Sequence, residues 1–228
     1  MIISGMMGLV DGSLIQQLRF ETVSNNLANM STNAFKKDVL TFDEVLTMKT
    51  SSSIDFTQGP MTPTGNPRDL ALEGEGFMKV QTPQGPRYTR DGALTINKQK
   101  TLATQTGDPV LGERGPIAIQ GNSLSIEDDG SVVVDGQRVD KIRVVTFKDK
   151  HHLKKAGLSY YLYEGQDGEG TPAEGTRVQQ GFLEKSNVDI TEEMIRMVES
   201  FRAFESVQKA IQNIDDMTGK LISEAGMS

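Results

Sequence analysis

The chain has 228 residues, a formal net charge of −7 and no cysteine. Its length suffices for one sizeable core, or for a domain with protruding helices. The acidic balance argues against nucleic acid as a partner, and the lack of cysteine excludes disulfide bonds and a cysteine nucleophile. No apolar run approaches the roughly 20 residues that a membrane-spanning helix needs, so we expect no membrane insertion.

Residues 3–30 carry apolar side chains in steps of three and four, which predicts a helix. Gly5, Gly8 and Gly12 interrupt this pattern, and each costs about 1 kcal/mol of helix propensity relative to alanine. The helix therefore needs a packing partner. Short polar residues between Ser24 and Asn33 compete with the backbone for hydrogen bonds and favour a helix end or a turn.

The composition changes after Lys37. A short apolar segment follows, which we interpret as extended or partly helical, and the glycines and prolines of residues 59–67 then indicate turns. We therefore predict a linker at residues 38–67, between an N-terminal helical segment at residues 1–37 and the next domain.

Residues 68–183 alternate short β-branched and aromatic runs with turn signals. Asp91-Gly92 predicts a hairpin that leads from residues 87–90 into residues 93–96. Further strands are predicted at residues 77–81, 110–111, 117–119, 124–126, 132–134, 142–147, 160–163 and 178–183. This series predicts a central all-β domain, either a sandwich or barrel-like.

A second, longer helical pattern occupies the last segment, residues 184–228. Its start is indicated by Asp189 or Thr191 as the capping residue, and Glu192 and Glu193 suit the positive end of the helix dipole. The sequence thus predicts an α+β protein in which the N- and C-terminal helices pack together as a helical layer. Two arrangements remain open: an ordinary helix pair that closes one domain, or two helices that meet neighbouring subunits.

Patterns that carry chemistry are weak. The Gly-x-Gly of residues 73–76 leads into a strand and has acidic neighbours, which argues against a phosphate site. The basic stretch of residues 148–155 contains His151 and His152, and four nearby lysines would repel a metal cation. We interpret it as a solvated loop, or as an electrostatic contact with an acidic neighbour. We predict no catalytic residue, no cofactor and no metal, and therefore no enzyme.

Several stretches are more specific: Ser24–Lys37, Asn66–Phe77, Tyr88–Gly92 and Gln180–Val188. In this order they closely resemble the signature of the bacterial flagellar rod, hook and hook–filament junction proteins. The signature positions are Asn25, Asn26, Leu27, Ala28, Asn29, Ser31, Thr32, Phe35, Lys36, Gly181, Ser186, Asn187 and Val188. Together with the helical periodicity, the resemblance implies subunit contacts at Leu14, Leu18, Leu27, Met194, Met197, Phe201, Phe204, Ile211, Ile214 and Leu221.

The resemblance implies a structural subunit of the flagellar basal-body rod, which polymerises through its terminal helices into a torque-transmitting shaft around the export channel. The expected partners are other rod subunits and the flagellar type III export apparatus. The expected location is the rod crossing the periplasm, reached without a cleaved signal peptide because the N-terminus has no basic region or small-residue cleavage site.

Within the family, the short interval Thr47–Gly65 and the stretch Gly112–Ile117 favour a proximal rod subunit that adjoins the distal rod. The distal rod protein is the alternative. A soluble β binding module whose helices form a private dimer is a second functional class. Self-association distinguishes the classes, since helical polymer contacts are open-ended and a private dimer is closed.

Overall fold

The computed structural model describes residues 2–42, 50–157, 159–165, 168 and 170–225. Its contacts divide the chain into two compact units. The helical unit comprises Met1–Ala28, Asp38–Ser53 and Asp189–Ser228. The β unit comprises Asn29–Lys37 and Ile54–Val188. The predicted α+β class is confirmed.

The helical unit contains two long helices that pack against each other, α1 (Ile2–Ala28) and α2 (Ile190–Ala225). Strands β1 (Asp38–Phe42) and β2 (Thr50–Ile54) pair as a small sheet. The rest of the predicted apolar segment, residues 43–46, lies outside the described residues.

Both helix boundaries have local causes. Helix α1 ends at Ala28, inside the run of short polar residues where the sequence predicts a helix end. Helix α2 begins after Asp189, whose carboxylate Oδ1 accepts hydrogen bonds from the backbone N–H groups of Thr191 (2.8 Å) and Glu192 (3.1 Å). Asp189 is therefore the capping residue, because it supplies acceptors for donors that the first helical turn leaves without a partner.

Short strands build the β unit, with a 3₁₀ turn at Lys150–His152. The strands are β3 (Met61–Pro63), β4 (Leu70–Glu73), β5 (Phe77–Thr82), β6 (Gly85–Thr89), β7 (Leu94–Ile96), β8 (Leu102–Thr104), β9 (Leu111–Gly112), β10 (Gly115–Pro116), β11 (Leu124–Ile126), β12 (Ser131–Val134), β13 (Gln137–Lys141), β14 (Val144–Thr146), β15 (Leu153–Lys155), β16 (Tyr160–Tyr163), β17 (Thr171–Pro172), β18 (Arg177–Gln180) and β19 (Phe182–Glu184). The largest sheet is antiparallel and six-stranded, in the order β15-β16-β6-β5-β14-β17. A three-stranded sheet, β11-β12-β13, and the pairs β18-β4, β19-β3, β7-β8 and β10-β9 complete the unit.

The hairpin predicted at Asp91-Gly92 is wrong, because β7 pairs with β8 and not with β6. At this point the chain passes close to β4 instead of turning back. The N–H of Leu70 donates to the carbonyl oxygen of Gly92 at 3.0 Å, and a Cβ atom at Gly92 would overlap the carbonyl oxygen of Leu70. Residue 92 must therefore be glycine for this close approach.

One further strand prediction and one turn prediction need correction. Residues 117–119 form no strand, and only Ala118 makes an isolated bridge, to Thr101. The predicted turns of residues 59–67 contain β3, which pairs with β19 at the far end of the β unit's sequence. Proline and glycine indicated turns there, but the long-range partner was not visible locally.

The β unit has two apolar clusters. The larger is aliphatic and includes Leu70, Leu72, Met78 and Ile117. The smaller is aromatic, with Phe77, Tyr88 and Tyr161 buried in it. Edge-to-face contacts such as Phe77 with Tyr161, whose ring centroids are 5.5 Å apart, fix the relative orientation of these rings.

Candidate functional site: an exposed apolar helix face and a buried ion cluster

The first candidate is the outer surface of the helix pair. On α2, Met194, Ile195, Val198 and Phe201 are each more than half exposed, at 58%, 56%, 51% and 53%. Leu14 of α1 is 56% exposed. Large apolar side chains clustered in this way are typical of a surface that another molecule covers.

The side of α2 that packs in the helical unit carries polar as well as apolar side chains, since half-buried Met197 and Phe204 lie on the same side as Glu193. Glu193 is 1% exposed, and Ser200 is buried beyond it on the same helix. From α1, Asn26 and Val23 are buried as well. The exposed apolar face of α2, which includes Met194, Val198 and Phe201, is left for an external partner.

The predicted contact residues differ in exposure. Leu14, Met194 and Phe201 are exposed. Leu18, Leu27, Met197, Phe204, Ile211 and Ile214 are half-buried. The side chain of Leu221 lies outside the described residues, although its backbone belongs to α2. Their role in subunit contacts remains a prediction.

An apolar groove lies between the two helices. It has a volume of about 220 Å³ and is lined by Phe20, Phe201 and Phe204, with Gln16, Gln17 and Ser200 at its polar positions. Phe20 and Phe201 keep 40% and 53% of their surface exposed. The groove could therefore accept an apolar side chain from outside the helical unit.

Two signature asparagines join the end of α1 to β1. The Asn26 side chain accepts from the N–H of Asp38 at 2.9 Å and donates to its carbonyl oxygen at 3.0 Å. Asn25 Nδ2 donates to the Asp38 carboxylate at 2.9 Å. A side-chain amide offers both a donor and an acceptor, so asparagine can replace a missing strand partner here.

The second candidate is a buried ion cluster in the β unit, formed by Lys36, Arg90 and Glu184. The Glu184 carboxylate is completely buried, and its Oε1 accepts from Lys36 Nζ at 2.6 Å and from the N–H of Gly59 at 2.9 Å. Its Oε2 accepts from Arg90 Nε at 2.7 Å. A Cβ atom at Gly59 would overlap the carbonyl oxygen of Lys185, so this position also needs glycine.

Backbone carbonyl groups accept further hydrogen bonds from both cations. Arg90 Nη1 donates to Gly74 O at 2.9 Å and Gly76 O at 2.8 Å, and Nη2 donates to Leu72 O at 3.0 Å. Lys36 Nζ donates to Thr57 O at 2.6 Å. Burial lowers the pKa of Lys36, and the neighbouring Glu184 carboxylate opposes this effect.

Asn187 binds the same chain segments together. Its Oδ1 accepts from the N–H of Lys37 at 2.8 Å, and its Nδ2 donates to Asp55 O at 2.9 Å and to Thr57 Oγ1 at 3.0 Å. Together, Glu184 and Asn187 tie the entering segment 34–37 and the segment 55–59 to the segment on which the chain leaves the β unit.

The other signature residues have mainly conformational roles. Phe35 is buried under Lys155, whose Nζ lies 4.0 Å from the ring centroid. Gly181 has φ of +80°, a conformation that disfavours side chains. Thr32 donates hydrogen bonds to Asn29 in a turn. Ser186 Oγ accepts a hydrogen bond from the N–H of Val188 at 3.3 Å. Ala28 and Ser31 are exposed.

Sequence reasoning missed the roles of Arg90 and Glu184, although both occur in the recognised stretches. Their residue types could have suggested an ion pair, but nothing local identifies partners that lie 94 positions apart in the sequence.

No other chemical centre emerges from the described residues. His151 and His152 are exposed on the 3₁₀ turn, as expected for a solvated loop, but residues 153–155 of the predicted loop form strand β15, in which Leu153 is buried. Among the described residues, no group of three or more His, Asp or Glu is arranged to hold a metal ion. None of the helices in that part of the chain is both long and apolar enough to cross a membrane.

Comparisons with known proteins agree with this architecture. Residues 71–134 match the family model described as flagellar hook protein FlgE/F/G D1 domain, and residues 179–224 match the model described as flagellar basal body rod FlgEFG protein C-terminal.

Relatives extend over most of the chain. The flagellar basal-body rod protein FlgF of Caulobacter vibrioides is 35% identical, covering 90% of this chain and 91% of the relative. The flagellar basal-body rod protein FlgG of Buchnera aphidicola subsp. Schizaphis graminum is 32% identical, covering 90% and 94%. The flagellar hook-basal body complex protein FlhO of Bacillus subtilis is 29% identical over 99% of both chains.

A helix pair with exposed apolar side chains, together with a separately packed β unit, is typical of a structural subunit of a larger assembly. The chain belongs to the flagellar basal-body rod proteins of the FlgF/FlgG type, and it is a structural subunit of the rod. Proteins of this family are structural and are not enzymes. The predicted family is confirmed.

Proposed function

We propose that this subunit belongs to the proximal rod and polymerises there through α1 and α2. Alignment lengths favour the proximal type. The alignment with FlgF of C. vibrioides needs 224 positions to cover 90% of this chain, whereas that with FlgG of B. aphidicola needs 248 for the same share. Fewer insertions are thus needed to match the FlgF relative. The distal rod protein remains the alternative.

The main support for polymerisation is the exposed apolar face of α2. Burying an aromatic side chain such as Phe201 removes about 150–250 Å² of surface from water. In the subunit, Phe201 is 53% exposed, so much of this gain remains available to a neighbouring molecule. Contacts along this face and the apolar groove would join each subunit to the next.

The proposal includes the remaining expectations about domains, partners and location. Residues 1–37 and 184–228 make the polymer contacts. Residues 38–67 link the N-terminal helical segment to the β domain, which residues 68–183 form. The neighbours are other rod proteins, and the type III export apparatus delivers the subunit. In the rod that crosses the periplasm, close helix packing around the export channel makes the shaft stiff enough to transmit torque.

Phe201→Asp tests the polymer contact. Because the side chain is half exposed in the subunit, the purified variant should keep its melting temperature, while incorporation into basal bodies and swimming are lost. Phe201→Leu is the matched control and should assemble, because it keeps an apolar side chain. Normal swimming with Phe201→Asp would contradict the proposal, and a strongly lowered melting temperature would favour a helix pair that merely closes its own domain.

Complementation tests the position in the rod. The chain should restore swimming to a strain that lacks its proximal rod subunit FlgF and not to one that lacks the distal protein FlgG. The reverse pattern would assign it to the distal rod.

A further inference from the structure

A second cavity in the helical unit, the polar cleft, lies beside the apolar groove. Its volume is about 390 Å³, and its lining comes from α1, β1 and α2. Gln16 and Ser200 line both the cleft and the groove. The polar cleft is therefore continuous with the surface proposed for polymerisation.

Within the described part of the chain, two buried acceptor atoms in the lining of this cleft have no hydrogen-bond donor. Glu193 is 1% exposed, and its Oε1 makes no hydrogen bond within the part of the chain that the structure describes. Gln16 Oε1 is likewise buried and without a hydrogen bond there. Buried polar atoms are normally paired, and a carboxylate oxygen without a donor is especially unfavourable.

Neighbouring groups satisfy Glu193 only in part. Its Oε2 accepts a long hydrogen bond of 3.4 Å from Asn26 Nδ2. Arg196 Nη1 is 3.7 Å from Oε1, beyond hydrogen-bonding distance, while Nη2 of the same guanidinium donates to Glu192 at 2.6 Å. Water can serve these acceptors in the isolated subunit. A donor group that replaces this water must match a carboxylate and an amide oxygen.

The charges of the cleft favour a cation. Its lining includes the carboxylates of Asp38, Glu193 and Glu199 and the guanidinium groups of Arg19 and Arg196. The carboxylates thus outnumber the cations, and Arg196 is already engaged with Glu192. A guanidinium is the best match, because its planar set of N–H donors can serve two acceptors at once and it loses hydration more readily than an ammonium group.

This chain presents such a group on a different face of α2. Arg202 is exposed, and its guanidinium makes no hydrogen bond or ion pair within the described residues. At 3.6 residues per turn, Arg202 lies about 60° around the helix from Glu199 but about 180° from Glu193. The Glu193 carboxylate of its own subunit is therefore on the opposite side of α2, while that of another copy is accessible.

We propose that Arg202 of one subunit enters the polar cleft of a second copy and donates hydrogen bonds to Glu193 Oε1 and Gln16 Oε1. This inference rests on the proposed polymerisation through α1 and α2. The two surfaces in contact are different, so the contact is heterologous and extends from copy to copy, as a helical polymer requires. It also gives the buried carboxylate of Glu193 a role in subunit recognition.

Neutral variants test the pairing. Arg202→Gln and Glu193→Gln should each lower incorporation into purified basal bodies by roughly tenfold or more, since truncating one partner of a buried charge pair is costly. The double variant should be no worse than the more affected single variant, because both changes remove the same contact. Lys209→Gln, at another exposed cation two turns further along α2, is the matched control and should incorporate normally.

Cross-linking gives a test that does not depend on the stability of Glu193 variants. The natural chain has no cysteine, so Arg202→Cys and Glu199→Cys, placed on separate co-expressed copies, can report a single contact. Both positions are exposed. Oxidised basal bodies should contain a cross-linked dimer that requires both variants, and Lys209→Cys with Glu199→Cys should give none.

The outcomes separate this inference from the proposed function. Normal incorporation of Arg202→Gln, or cross-linking through position 209 instead of 202, overturns the inference. If Phe201→Asp still fails to assemble in that case, polymerisation through the helices stands. If Phe201→Asp assembles normally as well, both the proposed polymerisation through the helices and the proposed Arg202 contact are refuted.

Discussion

Replacing Glu184 by glutamine tests whether the buried ion cluster holds the β unit together. The substitution keeps the shape of the side chain but removes the carboxylate that both Lys36 and Arg90 contact, at 2.6 and 2.7 Å. Two cations then remain in a region where Lys36 and Glu184 have no exposed side-chain surface and Arg90 has 3%.

Breaking a buried ion pair by removing one partner costs about 3–5 kcal/mol, because the remaining charge is left uncompensated. For a domain of this size, each kcal/mol lowers the melting temperature by roughly 2–4 °C. We therefore expect Glu184→Gln to lower the melting temperature of the β unit by roughly 6–20 °C. Chemical denaturation of the purified chain gives the free energy of unfolding directly.

Two control variants show whether a loss of stability comes from the buried cluster. Glu75→Gln removes an exposed carboxylate that lies 2.9 Å from Lys150, and exposed pairs contribute about 0–1 kcal/mol. Lys36→Met leaves the contact between Arg90 and Glu184 in place and removes one buried charge, so its loss should be smaller than that of Glu184→Gln. If Glu184→Gln costs no more than Glu75→Gln, the cluster does not stabilise the fold and the reasoning is refuted.

Three further measurements address other parts of the chain. Deleting residues 1–28 should leave the melting of the β unit nearly unchanged, whereas deleting residues 1–37 should lower it, because only the longer deletion removes Phe35 and Lys36 from their buried positions; equal melting temperatures would contradict this. Gly181→Ala should cost about 1–2 kcal/mol in denaturant unfolding, since φ is +80° there, and an unchanged midpoint would be inconsistent with that backbone. Hydrogen bonding from Ser131 lowers the pKa of Asp129 to about 2. The stability that this provides is present above the ordinary value of 3.8 and is lost as the pH falls through about 2, and an NMR titration that gives an ordinary pKa would refute it.

The sequence alone determined the features that depend on neighbouring residues. Apolar periodicity predicted α2, and Asp189 or Thr191 marked its beginning, because a cap bonds N–H groups only two and three positions away; the structure selects Asp189. The polar run after residue 24 marked the end of α1 for a similar reason. The motif stretches indicated the family, and alternating turns and short strands indicated the β domain.

Tertiary structure decided what depends on distant residues. Strand β7 pairs with β8, although Asp91-Gly92 suggested a hairpin, because Gly92 allows the chain to pass directly against Leu70. Lys36 and Glu184 are 148 positions apart, and only folding removes both from water and makes each the other's counterion. The periodicity of α2 also could not tell which side of the helix is buried, since Glu193 lies inside and Phe201 remains outside. That choice depends on the surface that α1 presents, which no local pattern in α2 encodes.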